Sequence, residues 1–161
     1  MWYSPRADSE VIETFLEVES KFDNPYDAIA RCYELNGLAC DIHPLDALMH
    51  LFVTASQEFH SCAEVAASLL LNLYNGYRFP FDLAELRRLD RLNKAACLST
   101  IAFDTSLKME VHQWLNTLLG RSDMGLRFEW LAVDFGLLSC TPLQPRPQQL
   151  NLVSPLSAKA D

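Results

Sequence analysis

The residues best suited to ligate a metal ion lie in one short stretch of this chain. They are Cys40, Asp41, His43, Asp46 and His50. Asp46 and His50 are four residues apart, so on a helix they share one face, which a transition metal can use. A zinc site normally carries two closely spaced pairs of Cys or His, and Cys40 with His43 has no second pair. We therefore predict no metal or other cofactor, and keep a metal-dependent enzyme built on His43, Asp46 and His50 as a weaker alternative.

The thiols and imidazoles of the chain show no spacing that is typical of a catalytic pair. The sequence has four histidines and five scattered cysteines: Cys32, Cys40, Cys62, Cys97 and Cys140. Most of these cysteines stand at apolar helix positions, where cysteine behaves as a small buried hydrophobic residue. There is no Gly-rich phosphate loop, no Gly-x-Ser-x-Gly turn and no convincing pair of catalytic carboxylates. The sequence therefore predicts a protein without enzymatic activity.

Four arginines form the candidate nucleic-acid surface: Arg78, Arg87, Arg88 and Arg91. Three of them lie on one predicted helix and the fourth in the aromatic turn before it, so together they could grip phosphates or stack on bases. They could equally pair with Asp82, Glu85, Asp90 or the acidic N-terminal helix. Ion pairing is the better interpretation, because an excess of acidic residues opposes nucleic-acid binding. A DNA- or RNA-contacting accessory factor that uses these arginines remains the alternative.

Acidic residues are concentrated in the first half of the chain. The net charge is −8, and residues 1–75 carry twelve acidic and only three basic residues. The predicted partner-binding residues are Glu10, Glu13, Glu17, Asp27 and Glu34. The first three lie opposite the apolar stripe of a predicted helix over residues 11–22, and the other two extend the patch along the next helix. A surface of this sign favours basic protein partners, although a solvated face that keeps the protein soluble is the simpler interpretation.

Nearly all apolar periodicity in the sequence is helical, so we predict an all-α fold. Seven segments follow this pattern. The first four are residues 11–22, a helix that begins at Pro25 and ends at Gly37, a helix that begins at Pro44, and residues 61–74. The last three are a helix that begins near Leu83, a helix that is capped by residues 104–106 and ends at Gly120, and residues 126–135. The helix from Leu83 either runs to about residue 103 or is capped again at Asp90. We expect a compact single-domain bundle of about six to seven helices over residues 1–140.

Residues 141–161 are expected to form a flexible tail. Four prolines and a mostly polar composition leave too little apolar surface for the tail to fold alone, so it is predicted to be flexible or draped on a partner. No apolar run approaches the roughly 20 residues that span a bilayer, and the N-terminus has no signal-peptide pattern. With an odd, dispersed set of cysteines, these features predict a cytoplasmic protein without membrane contact.

The segment Leu73–Asp90 contains the most specific local pattern in the sequence. It holds four aromatic residues: Tyr74, Tyr77, Phe79 and Phe81. Gly76 is expected to adopt a positive φ at the end of a helix, and Asp82 to cap the next helix with Glu85 as its capping-box partner. We predict that this turn is locked into the core, with Phe81 as its buried ring, and keep a recognition surface as the alternative.

The runs LLNLYNGYRFPFDLAELRRLD, MEVHQW and FEWLAVDFGL resemble an uncharacterised helical domain family of proteobacterial mobile elements, meaning prophages and integrative conjugative elements. The resemblance covers roughly residues 44–138. It brings no catalytic residues with it, and implies instead a setting in a bacterial host cell. Small acidic proteins of such elements include inhibitors of host defence, among them anti-CRISPR proteins. The expected partner is therefore a host complex with a basic surface, with a CRISPR effector as the specific case.

Overall fold

The computed structural model describes residues 25–57, 61–106 and 108–157. It contains α1 (Pro25–Asp41), α2 (Pro44–Gln57), α3 (Ser61–Tyr74), a 3₁₀ helix (Leu83–Arg88), α4 (Arg91–Asp104), α5 (Val111–Leu119) and α6 (Met124–Asp134). No strand occurs in these ranges, and the predicted all-α fold is confirmed. The predicted helix over residues 11–22 lies outside them. Contacts divide the chain into two units, Met1–Gly37 and Leu38–Asp161.

Proline sets the start of the first two helices. α1 begins at Pro25 and α2 at Pro44, as predicted, because the first helical position needs no N–H donor. The prediction that Gly37 closes α1 is wrong, since the helix continues to Asp41. An interior glycine costs a helix only about 1 kcal/mol, and no proline follows until Pro44.

The core of the second unit is built around α2, α3 and α4. α2 packs most extensively on α3 and on α4. α3 has the predicted bounds, and its alanines at positions 63, 66 and 67 are at most 1% exposed. Such small side chains let neighbouring helices approach closely, and leucines at positions 69, 70 and 71 fill the space around them. No helix among the described residues has the length and apolarity that a membrane span requires.

Two consecutive caps shape the segment between α3 and α4. The Asp82 carboxylate accepts a hydrogen bond from the Ala84 amide at 2.8 Å, as predicted, but the helix it caps is a short 3₁₀ helix. α4 then starts anew, with the Asp90 carboxylate accepting from the Asn93 amide at 3.0 Å. Of the two predicted alternatives for this region, capping at Asp90 is therefore the one observed.

The last two helices begin at different residues from those predicted, but glycines follow both as expected. α5 is capped by Glu110, whose capping-box partner is Gln113, so residues 104–106 do not open it. α6 begins at Met124, two residues earlier than predicted. Gly120 and Gly136 have φ values of 59° and 70°, the left-handed conformation that suits glycine after a helix.

The aromatic turn departs from prediction at two positions. Gly76 does not have a positive φ. A Cβ atom there would instead lie 3.3 Å from both the side-chain nitrogen and the carbonyl oxygen of Asn72, whose amide nitrogen donates to the Phe79 carbonyl at 2.8 Å. The buried ring is that of Phe79, which is 3% exposed, whereas Phe81 is half-buried. Thus the turn is part of the core, but through Phe79 rather than Phe81.

Side chains of the helices form hydrogen bonds to the described part of the tail, residues 141–157, and whether the tail is flexible stays a prediction. It has no α-helix, and its two most buried residues, Ser154 and Leu156, are 7% and 6% exposed. Gln57 donates to the Leu150 carbonyl at 3.0 Å, and Arg127 donates to the Gln148 carbonyl at 2.8 Å. Hydrogen bonds to main-chain carbonyls can hold an irregular segment that has little apolar surface of its own.

Candidate functional site

The guanidinium group of Arg78 is held by a carboxylate of another helix. Arg78 donates two hydrogen bonds to Glu129 on α6, at 2.7 and 2.8 Å, and the Tyr74 hydroxyl donates to the same carboxylate at 3.0 Å. The Arg78 hydrogen bond in particular lowers the pKa of Glu129, and burial raises the pKa of Tyr74. The Arg78 guanidinium also lies 4.9 Å from the centre of the Phe79 ring. The predicted pairing of this arginine is therefore observed, with a partner that sequence reasoning missed.

The other three arginines of the candidate nucleic-acid surface lie along the 3₁₀ helix and the start of α4. Arg88 forms ion pairs with Glu85, as predicted, and with Glu64 on α3 at 3.2 Å. Arg87 and Arg91 are exposed. Carboxylates thus occupy at least half of the predicted basic patch, which weakens its attraction for phosphate groups.

Three further arginines of the second unit are paired in the same manner. Asp123 accepts from Arg121 at 2.7 Å and from Arg127 at 3.0 Å, and Arg121 in particular holds the pKa of that carboxyl well below its usual range. Arg146 of the tail donates two hydrogen bonds to Asp134 on α6, at 2.5 and 2.8 Å. The basic residues of this unit therefore serve largely to join its elements.

The acidic residues predicted to bind a partner fall into two groups. Asp27 and Glu34 are both exposed on α1. Asp27 lies in the first turn of that helix, where a negative charge is favoured by the helix dipole. The remaining three, Glu10, Glu13 and Glu17, lie outside the described residues. The described residues therefore present exposed acidic positions on α1, and whether these bind a partner stays a prediction.

The residues of the weaker, metal-dependent alternative are not assembled around one point in the part of the chain that the structure describes. Within those residues no three His, Cys, Asp or Glu side chains are arranged to hold a metal ion. The Nδ1 atom of His43 accepts from the Leu45 amide at 3.2 Å. His50 is 7% exposed, and both its ring nitrogens have hydrogen-bond partners. His43 therefore stabilises the start of α2, and His50 belongs to a different network.

His50 is the centre of a buried polar chain that the sequence did not reveal. Its Nδ1 atom lies 2.6 Å from the Ser154 hydroxyl and its Nε2 atom 3.0 Å from the Asn93 side-chain oxygen. The Asn93 side-chain nitrogen donates to Asp90 at 2.6 Å, which leaves the Asn93 oxygen to accept from His50. His50 Nδ1 is then an acceptor, and the hydroxyl of Ser154 donates to it. This order resembles an activated serine, but Ser154 is only 7% exposed and also accepts from the Leu156 amide at 3.1 Å. The network thus anchors the tail.

Among the cysteines, burial separates one thiol from the others. Cys97 is completely buried, and burial raises the pKa of its thiol to about 12. A thiol with such a pKa is a poor nucleophile at neutral pH. Cys32, Cys40 and Cys140 are exposed. The sequence prediction of a protein without a thiol active site stays a prediction.

A cavity of about 260 Å³ lies between α2, α6 and the tail. We name this surface the tail groove; its lining includes Phe52, Ser56, Arg127, Trp130, Leu131, Phe135, Arg146, Pro147, Gln149 and Leu150. The groove is mostly apolar on its walls, with the Arg146–Asp134 ion pair at one side. The Arg146 guanidinium lies 4.5 Å from the centre of the Trp130 ring, a cation–π contact. At about 260 Å³ the cavity is slightly smaller than a typical small-molecule site.

Comparison with known proteins yields a family and no function. No curated protein and no solved structure matches the chain. A model of the DUF7673 family, described as a family of unknown function, matches residues 45–125, which is about half of the chain. The match runs from α2 through the aromatic turn to the start of α6, and lies within the region of the predicted resemblance. This chain therefore belongs to the DUF7673 family.

Proposed function

We propose that this chain is a non-enzymatic, protein-binding inhibitor that occupies a basic, nucleic-acid-binding surface of a host complex. The observation that carries the proposal is the division of charge. Carboxylates hold the guanidinium groups of Arg78 and Arg88 in the second unit, and Asp27 and Glu34 lie at exposed positions of an N-terminal region that carries the acidic excess. With twelve acidic and three basic residues in the first 75 positions, the protein attracts basic surfaces and repels nucleic acid.

The mechanism is electrostatic. Carboxylates on α1, together with Glu10, Glu13 and Glu17 before it, would follow the spacing of phosphate groups roughly, speed the encounter with a basic surface and block the ligand that normally binds there. The resemblance to domains of mobile elements supports a bacterial host complex as the partner, with a CRISPR effector as the specific case. Inhibition of this kind requires no catalytic residue and no cofactor.

The alternative function is a DNA- or RNA-contacting accessory factor that uses Arg78, Arg87, Arg88 and Arg91. Phosphate binding by Arg78 would have to replace two hydrogen bonds to Glu129, and by Arg88 an ion pair with Glu64. Each replacement exchanges one charge-assisted interaction for another and gains little free energy. The acidic excess of the chain opposes the alternative further.

The first test is capture of partners from a bacterial lysate, with and without nuclease treatment, followed by mass spectrometry. The proposal predicts a protein with a basic surface that is captured whether or not nucleic acid is present. A gel shift with single- and double-stranded DNA and RNA tests the alternative directly. Capture that depends on nucleic acid, together with a gel shift by the purified chain, would contradict the proposal.

A matched pair of variants separates a specific acidic surface from net charge. Asp27→Asn/Glu34→Gln removes two negative charges from α1. Thr117→Lys/Ser122→Lys adds two positive charges at exposed positions of the second unit, so both variants have the same net charge. We expect weaker capture by the first variant and unchanged capture by the second. Equal loss in both variants would show that net charge alone governs binding.

A further inference from the structure

The tail is bound to the helices in a way that depends little on its own sequence. Three side chains of the helices donate hydrogen bonds to main-chain carbonyl groups of the tail. Trp130 donates to Gln144 at 3.3 Å, Arg127 to Gln148 at 2.8 Å and Gln57 to Leu150 at 3.0 Å. Because every residue has a carbonyl group, another irregular or extended segment could accept the same three bonds.

One side chain of this segment is recognised by charge and shape. Arg146 forms the bidentate pair with Asp134 and lies over the Trp130 ring, so its guanidinium meets a carboxylate and an aromatic face together. Prolines stand on both sides of Arg146, and they hold the chain in an extended conformation at low entropic cost. The helices thus provide the groups that bind a Pro-Arg-Pro sequence.

The tail fills the tail groove incompletely. Of its large apolar side chains, Leu143 and Val153 are 106% and 82% exposed, whereas Leu150 lines the cavity and Leu156 is 6% exposed. Gln149, a polar residue, lines the cavity of about 260 Å³ beside Phe52, Trp130 and Leu131. A ligand with a large apolar side chain at the position of Gln149 would bury additional apolar surface there.

We propose that the tail groove is a binding site for an extended, proline-containing basic peptide of a partner protein, and that the chain's own tail occupies it in cis. The arginine of the peptide binds Asp134 and Trp130, its main-chain carbonyl groups accept from Arg127 and Gln57, and an apolar side chain three residues after the arginine fills the cavity. The partner peptide binds by displacing the tail. This site lies in the second unit and does not depend on the acidic residues of α1.

The test uses the full chain and a fluorescent peptide with the sequence of residues 141–153, TPLQPRPQQLNLV. Peptide anisotropy is measured with the wild type, with Arg146→Glu, which repels the tail from Asp134, and with Arg146→Glu/Asp134→Arg, which restores the cis pair with reversed charges. We expect Arg146→Glu to bind at least about tenfold more tightly than the wild type, since one charge-assisted pair no longer competes. The double variant should not bind this peptide, because Asp134→Arg replaces the carboxylate that binds the arginine of the peptide.

Two altered peptides complete the test. A peptide that carries Gln149→Phe should bind the protein variant Arg146→Glu several-fold more tightly than the unaltered peptide does. A peptide that itself carries Arg146→Glu should not bind this protein variant. Circular dichroism and cooperative melting establish that each protein variant is folded, and Arg146→Gln replaces Arg146→Glu if the latter fails to melt cooperatively. A folded variant that binds no tighter than the wild type would overturn the proposal. Equal binding of the peptides with Arg and with Glu at position 146 would also overturn it. A wild-type dimer that exchanges tails, detected by light scattering, would overturn it as well, because a second copy of the chain would then occupy the tail groove.

Discussion

The aromatic turn and helix α1 differ in the sign and the setting of their charged residues. In and around the turn, Arg78 is held by Glu129 and Arg88 by Glu64 and Glu85, so these charges join α3, the 3₁₀ helix and α6. On α1, Asp27 and Glu34 are exposed to solvent. The basic residues around the turn therefore contribute to the fold, and α1 presents acidic residues at exposed positions.

This comparison shows that the role of a cluster of charged residues depends on the residues with which they form ion pairs in the fold. A guanidinium with a bidentate carboxylate partner has its donors largely satisfied and attracts phosphate weakly. An exposed carboxylate on a helix contributes little to stability and can change without harming the fold. Four stability experiments and one kinetic measurement can test the comparison.

The largest effect is expected for Phe79→Ala. The Phe79 ring is 3% exposed, and its removal should cost about 3–5 kcal/mol of unfolding free energy, measured by urea denaturation. Tyr77→Ala is the matched control, because Tyr77 is 98% exposed and its loss should cost less than about 0.5 kcal/mol. Similar small losses in both variants would make the turn a free surface loop and revive it as a binding surface.

A smaller loss is expected for Ser154→Ala. The substitution leaves the buried Nδ1 atom of His50 without its hydrogen-bond donor, which should cost about 1–3 kcal/mol. Ser157→Ala, at an exposed position three residues later, serves as the control and should be neutral. If Ser154→Ala is also neutral, the tail is not anchored through this network and the flexible tail predicted from the sequence becomes the better description.

The ion pair between Arg78 and Glu129 should show coupling in a double-mutant cycle. Because the Arg78 side chain is 38% exposed, solvent screening limits the expected loss to about 1 kcal/mol for Arg78→Gln or Glu129→Gln. The double variant should lose hardly more than either single variant. Additive losses would mean that Glu129 does not hold Arg78, and the basic patch would regain its interest for nucleic-acid binding.

The smallest effect is a pH dependence of stability that arises from His112 on α5. Its ring meets the Tyr74 ring edge-on at 5.0 Å, and burial lowers the pKa of His112 from its ordinary value of 6.5. Below pH 6.5 the unfolded chain takes up a proton that the folded chain resists, so the stabilisation is complete above that pH and is lost as the pH falls through the lowered pKa. Chemical denaturation between about pH 7 and pH 5 should show a shallower decline for His112→Gln than for the wild type. If the unfolding free energy declines equally with pH in both proteins, His112 is not the source of the pH dependence.

Local sequence signals predicted most of the helices. Pro25 and Pro44 mark helix starts, Asp82 and Asp90 supply caps, and Gly120 ends α5, because each of these effects acts within one helical turn. The differences arise where the outcome depends on neighbours in space. Phe79 and Phe81 are equally apolar in sequence, and only the packing of the turn decides that Phe79 is buried.

The candidate site was predictable to a smaller extent. Asp27 and Glu34 are exposed, but so are the apolar residues Ile29 and Tyr33 of the same helix, so the hydrophobic pattern alone does not account for this exposure. The pairing of Arg78 with Glu129 joins residues 51 positions apart, and the contact between His50 and Ser154 joins residues 104 positions apart. No periodicity or local motif records contacts of that range, so the docking of the tail and the groove it covers emerge only from the fold.

The most direct test of the account is the association rate of the captured partner with wild-type and charge-reversed chains. Asp27→Lys/Glu34→Lys and Glu10→Lys/Glu13→Lys/Glu17→Lys are compared by biolayer interferometry, with circular dichroism to establish that each is folded. The control is Thr117→Lys/Ser122→Lys/Ser139→Lys/Thr141→Lys, which changes the net charge by as much as the first variant at exposed positions of the second unit. We predict that reversal slows association on the order of tenfold at low salt, that the control does not, and that added salt reduces the difference. Wild-type association rates in both folded, charge-reversed variants would contradict the proposal that acidic residues of the N-terminal region bind the partner.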